Sequence, residues 1–151
     1  MAMSGPIRKV AVEMPPGGQR RVVWGRAANG RYHGEEFWEQ ECDERQQSKF
    51  QAFLRIAASN GVIKNEEHFR YPLKGQGNLG EFKIFKKRLY FYRDANDLIV
   101  THGATKKRNE TDREDIDRAN RIKSEIERQE ELERKLRQGS PTWGAQRGKG
   151  Q

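Results

Sequence analysis

The sequence predicts an α+β fold: a small four-stranded antiparallel sheet with helices on one face, followed by a long C-terminal helix. Three observations carry this reading. Between Glu81 and Lys107, three runs rich in aromatic and β-branched residues, Phe82 to Phe85, Leu89 to Tyr92 and Leu98 to Thr101, are separated by LysLysArg and AspAlaAsnAsp. That is the pattern of an antiparallel meander. Upstream, Phe50, Phe53, Leu54 and Ala57 recur at i, i+3, i+4 and i+7, and downstream Ile116, Ala119, Ile122 and Ile126 keep a helical spacing as well.

Residues 1–19 contain ProPro and GlyGly and little apolar periodicity, so they predict a flexible arm with at most a short extended piece at Lys9 to Val12. Arg21 to Trp24 reads as a first strand, closed by Gly25 and the AsnGly turn at Asn29 and Gly30; it adds a fourth strand to the meander. Glu35 to Arg45 is acidic early and carries Phe37, Trp38 and Cys42 on one helical face. Ser48 and Gln51 spell a capping box, so two consecutive helices, or one bent helix, are expected from Glu35 to about Ala58, stopped by Asn60 and Gly61. Val62 to Gly80 reads as a loop in which Lys64, His68, Phe69, Arg70, Tyr71 and Lys74 interleave. Its glycines lead into a strand and lack a Walker lysine and a following helix, so they make a weak phosphate cradle. After the sheet, Thr111 and Glu114 form another capping box, and Leu132 and Leu136 extend the apolar run to about Arg137, where Gly139 and Pro141 should end the helix. The chain thus divides into a flexible arm (1–19), a folded domain (20–129), and a charged helix extension with a disordered tail (130–151).

The net charge of +8 and a pI near 9.8 favour a polyanionic partner. From Lys64 to Arg108 there are eleven Lys and Arg against five Asp and Glu, so most of the excess lies on or beside the sheet. No stretch approaches the run of about eighteen apolar residues that a transmembrane helix needs. The N-terminus has no adequate secretory core, and no membrane partner is expected. A single cysteine, Cys42, has no partner for an internal disulfide and reads as a packing residue, which together with the charge makes the cytoplasm the expected compartment.

Strand alternation sorts the sheet side chains. If Phe82, Ile84, Leu89 and Phe91 face the helices, Lys83, Arg88, Tyr90 and Tyr92 face the other way, on an open surface. Cations that bind phosphate and rings that stack on bases suit single-stranded nucleic acid. The alternative for the same residues is a solvated outer face on which Lys and Arg guard against aggregation. The three histidines, His33, His68 and His102, show no metal-ligand spacing and there is no nucleophile elbow, so no metal or other cofactor is expected. Chemistry built from Lys, Arg, His and Tyr suits RNA cleavage, in which a base activates the 2′-hydroxyl, cations stabilise the phosphorane and an acid protonates the 5′-oxygen.

These residues, in this order, resemble a known family. The LeuLysGly of Leu73 to Gly75, then GluPheLysIle, ArgLeuTyrPheTyr, LeuIleValThrHisGly and AlaThrLysLys, with a capped helix following, are similar to the RelE/HigB-like toxins. The phage-derived branch is the nearest in pattern, with His102, Gly103, Ala104, Thr105, Lys106 and Lys107 matching its HGF.KK run, and Thr111, Asp115, Ile116 and Ala119 its helix. The resemblance covers roughly Arg21 to Gln129 and is most specific from Glu81 to Ala119. It implies a RelE-like domain acting as the toxin of a toxin–antitoxin module, a metal-independent mRNA endoribonuclease on the ribosome, with mRNA, the ribosome and a cognate antitoxin as partners. Lys83 or Lys86 is then the candidate base, Arg88, Arg93 and Lys106 the phosphate and transition-state cations, and His102 the candidate acid. Lys74, Lys87, Tyr90, Tyr92, Lys107 and Arg108 would bind the RNA. Two alternatives share the resemblance: a non-catalytic phage or prophage protein of this fold that binds nucleic acid or a host protein, and a ParE-like gyrase inhibitor. Where several family members keep a Tyr or His near a short C-terminus, this chain continues into a charged helix without a tyrosine.

Overall fold

A computed structural model describes residues 5–60, 68–107 and 112–149. Chain order is β1 (Arg8–Val12), β2 (Arg21–Gly25), α1 (His33–Gln40), α2 (Glu44–Asn60), β3 (Phe69–Arg70), β4 (Leu79–Ile84), β5 (Lys87–Asp94), β6 (Asp97–Thr105) and α3 (Arg113–Lys149). The meander is present: β4 pairs with β5 and β5 with β6, both antiparallel, through two-residue turns at Phe85–Lys86 and Ala95–Asn96.

The sheet is not four-stranded and antiparallel, as expected, but six-stranded and mixed, in the order β1-β2-β6-β5-β4-β3. Strand β2 lies parallel to β6, with Val22 opposite Leu98 and Trp24 opposite Val100. The cause is the intervening chain. Two helices and three strands separate β2 from β6, so β2 joins the meander's free edge by a crossover instead of a hairpin. A strand in that position is covered on both sides, and Val22, Val23 and Trp24 are all buried. An unbroken apolar run of this kind marks a doubly covered strand, whereas alternation marks a half-exposed one.

Helices also lie on both faces, not on one. Against α1 and α2 pack Trp24, Phe82, Leu89, Phe91 and Val100, in a core with Phe37, Phe50 and Leu54. Against α3 pack Val23, Leu79, Tyr90, Tyr92 and Ile99, around Ala119, Ile122 and Ile126. The stripe at helical spacing needed an apolar floor, and the rings of Tyr90 and Tyr92 with Ile99 provide it.

Local chemistry explains most boundaries. The capping box that starts α2 is Asp43 with Gln46, not Ser48 with Gln51: Gln46 N donates to Asp43 Oδ1 at 2.8 Å, and Asp43 N to Gln46 Oε1 at 2.9 Å. Helix α1 comes so close to β6 that a Cβ on Gly103 would lie 2.2 Å from the Phe37 ring, and one on Gly34 2.5 Å from Val100. Within the expected arm, the short extended piece read at Lys9 to Val12 is the edge strand β1, paired with β2, and Ile7 is buried beside it. Arg8 ties that edge down, reaching Asp94, Asp97 and Glu130 at 2.6–2.8 Å. The loop before β4 contributes the two-residue edge strand β3, whose Phe69 stacks on Phe91. Helix α3 passes through Gly139 and Pro141 to Lys149. Its mostly exposed stretch from Glu127 to Arg137 is rich in Glu, Arg, Lys, Gln and Leu, all strong helix formers. The expected features at Gly61, Lys64, Arg108 and Thr111 fall outside the described residues.

Candidate nucleic-acid interface

The parity of the meander is as the alternation requires, with Phe82, Ile84, Leu89 and Phe91 on the α1–α2 side. The opposite side is not open. Helix α3 lies over it, and Arg88, Tyr90 and Tyr92 are 1% exposed and His102 is fully buried. Lys83 and Lys106 are buried as well.

A bulge aims His102. Tyr90 pairs with His102 but Phe91 with Val100, which leaves Thr101 as the extra residue of β6, its hydroxyl donating to Tyr90 O at 3.3 Å. By strict alternation Ile99 and His102 would point to opposite faces; the bulge turns His102 to the α3 side. There its ring stacks on Tyr90, 4.8 Å between centroids. Asp115, from the first turn of α3, closes the group. One carboxylate oxygen lies 3.6 Å from His102 Nε2, and the other accepts from Tyr90 OH at 3.4 Å and from Lys106 Nζ at 2.6 Å. Asp112 also pairs with Lys106, at 2.5 Å.

The protonation states follow from these contacts. His102 and Lys106 hold Asp115 down at about 2, against its own partial burial. Burial lowers the His102 pKa, with Asp115 only partly opposing. Burial also works against charge on Lys106, but Asp112 and Asp115 outweigh it and raise its pKa. At neutral pH the cluster is a neutral imidazole, a carboxylate and an ammonium. Burial raises the Tyr90 pKa far above its ordinary value, and the phenol stays protonated.

Arg88 has a different task from that expected of an exposed cation. Its Nη1 donates to Phe85 O at 2.6 Å and to Lys87 O at 3.1 Å, holding the β4–β5 turn. Burial lowers its pKa, and Glu81, fully buried on the same face, opposes that shift. Arg93 and Lys74 lie elsewhere: Arg93 N donates to Asn78 O near the start of β4, roughly 20 Å along β5 from Lys87 at the rise of a strand. Tyr92 also lies toward that end, with Lys123 Nζ 5.4 Å from its ring centre.

What the fold does assemble is a cationic corner. Register sets Lys87 opposite Thr105, with Lys87 Nζ donating to Thr105 Oγ1 at 3.1 Å, and Lys106 N donates to Lys86 O at 2.6 Å. Lys86 and Lys107 are exposed and Lys87 partly so, all at one end of the sheet. Of the site residues named from sequence, Lys86, Lys87, Lys106 and Lys107 come together here, with Lys83 and Arg88 just inside.

The family model for phage-derived protein Gp49-like (DUF891) matches residues 38–124, more than half of the chain. The chain belongs to this family. Gp49-like proteins are of the RelE/HigB-like toxin type, so the resemblance read from Glu81 to Ala119 holds at family level. None of the curated proteins matches the chain. The matched span takes in α2, the strands β3 to β6 and the start of α3, and so includes both the cationic corner and the buried cluster of this Gp49-like chain. No described helix is long and apolar enough to cross a membrane. Sequence reasoning missed Asp112 and Asp115 as site residues, because acids in a first helical turn read as dipole partners.

Proposed function

We propose that this Gp49-like protein is the toxin of a toxin–antitoxin module and acts on RNA, which it grips at the corner formed by Lys86, Lys87 and Lys107. The observation that carries this is the register that brings those three cations together. Among the described residues no carboxylate forms an ion pair with any of them. Phosphate oxygens are the complementary ligand for such a corner. Beside it lie the groups that RNA cleavage uses, Lys106 as transition-state cation and His102, which becomes an acid only when uncovering relieves the burial that keeps its imidazole neutral. Cleavage would require Asp112 and Asp115 to leave Lys106, and the first turn of α3 to uncover His102. A cognate antitoxin and the translating ribosome are the partners of this reading.

A second reading, a non-catalytic nucleic-acid-binding protein of the same fold, draws on the burial of Arg88 and His102. One experiment separates the two. Induction should arrest growth, and mapped mRNA ends should show new cleavage within translated regions, both lost on Lys106→Ala with soluble expression unchanged. Arrest with intact mRNA would favour the binding reading, and neither arrest nor RNA binding would defeat both.

A further inference from the structure

Phe85 stands in the position of the β4–β5 hairpin where a side chain is least welcome. The connection from Ile84 to Lys87 has two residues, and Phe85 has φ +53°. Hairpin turns with positive φ at the first central position favour glycine, since a Cβ there crowds the backbone. For a bulky residue such a conformation is a costly outlier that persists only where the surrounding structure holds it. Packing does not explain it here, because Phe85 is 89% exposed, the most exposed of the large apolar residues described. The turn is nonetheless held firmly, by Arg88 Nη1 on the Phe85 carbonyl. So the backbone of an aromatic residue is held at a strained position with its side chain in solvent, followed by Lys86 and Lys87, with Lys107 just beyond the adjoining end of β6.

We propose that Phe85 is a stacking platform for an unpaired base of single-stranded RNA, with Lys86, Lys87 and Lys107 binding the phosphates on either side. This rests on the RNA reading above and adds which form of RNA is taken and by which residue. The chemistry favours an unpaired nucleotide over an apolar protein pocket. An exposed ring at the same corner of the sheet as three lysines offers a base's π-face and its neighbouring phosphates complementary groups close together, and the lysines would have to be desolvated against an apolar partner. A duplex keeps its base faces stacked inside, so it offers the ring nothing.

The test measures binding of a fluorescent twelve-nucleotide single-stranded uridine RNA, and of a duplex of equal length, to the full chain and its variants. Wild type should prefer the single strand. Phe85→Ala and Phe85→Leu should each weaken that binding on the order of tenfold, while Phe85→Trp retains it. Phe85→Gly should bind as poorly as Phe85→Ala yet melt at a higher temperature than wild type, which rules out misfolding as the cause. If wild type and Phe85→Ala bind equally while Lys107→Ala weakens binding, stacking is overturned and the RNA reading stands. If Phe85→Leu binds as wild type does, the contact is merely apolar and the proposal is again overturned. If wild type binds neither RNA, the RNA reading falls and takes this proposal with it.

Discussion

Asp115 is charged in contact with an ammonium, a phenol and an imidazole, and the consequence is a definite response to acid. Its pKa is lowered from 3.8 to about 2, so its contribution to stability is in full force above about 4 and is lost as pH falls through about 2. The size of that contribution is on the order of 2 kcal/mol. His102, kept below 6.5 by burial, acts in the same direction: the unfolded chain takes up a proton there before the native one does, so stability begins to fall below about 6.5. Urea unfolding of Asp115→Asn should show a loss of about 2 kcal/mol at pH 7 and a flatter profile between pH 4 and pH 2. Gly103→Ala should cost about 1–3 kcal/mol in the same assay, because a Cβ there meets the Phe37 ring at 2.2 Å. At this scale the sequence was half legible. Alternation placed Lys83, Arg88 and Tyr90 on the correct side of their strands, but nothing in a period of two reveals a bulge at Thr101 or which helix lies above.

Among the elements, β1 and α3 are joined through Arg8, and that joint is testable. Arg8 is four-fifths buried and bonds three carboxylates, the least exposed of them Asp97. Arg8→Ala leaves Asp97 with Arg21 alone and should destabilise the chain by about 3 kcal/mol, as removal of one partner from a buried ion-pair group does. Leu132→Asp and Leu136→Asp should each change stability by less than about 0.5 kcal/mol, since both side chains project into solvent. Long periodic elements were readable in the sequence: α2, the packed half of α3 and the three meander strands each span enough residues to show a period. The two-residue β3 shows none. Strand β2 was found but misplaced, because ValValTrp tells that a strand is apolar on both sides and not which neighbour it joins. The side chains that decide α3's docking face are Tyr90 and Tyr92, and tyrosine serves equally well as solvent-facing base platform or as core.

For the whole molecule, charge and topology make separate demands. If Lys86, Lys87 and Lys107 each neutralise a phosphate, replacing all three with Ala should flatten the salt dependence of single-stranded RNA binding by about 2 logarithmic units per decade of salt, at roughly 0.7 per phosphate. Variants at Arg134 and Lys135, exposed along α3, should leave that slope unchanged. Topology bears on how the chain comes into being. The meander closes through tight turns and is available as soon as residues 79–105 exist, whereas β2 needs β6, which follows it by some seventy positions. During synthesis, then, Val22, Val23 and Trp24 are made early and wait, apolar on both sides, for the last strand of the sheet to emerge. Long-range pairing of this sort is slow and leaves nascent chains prone to association. The Arg8-bearing hairpin partner β1 covers only one edge of β2 in that interval. A cell making this protein therefore carries, for the length of each round of translation, a sticky N-terminal hairpin that only the completion of β6 retires.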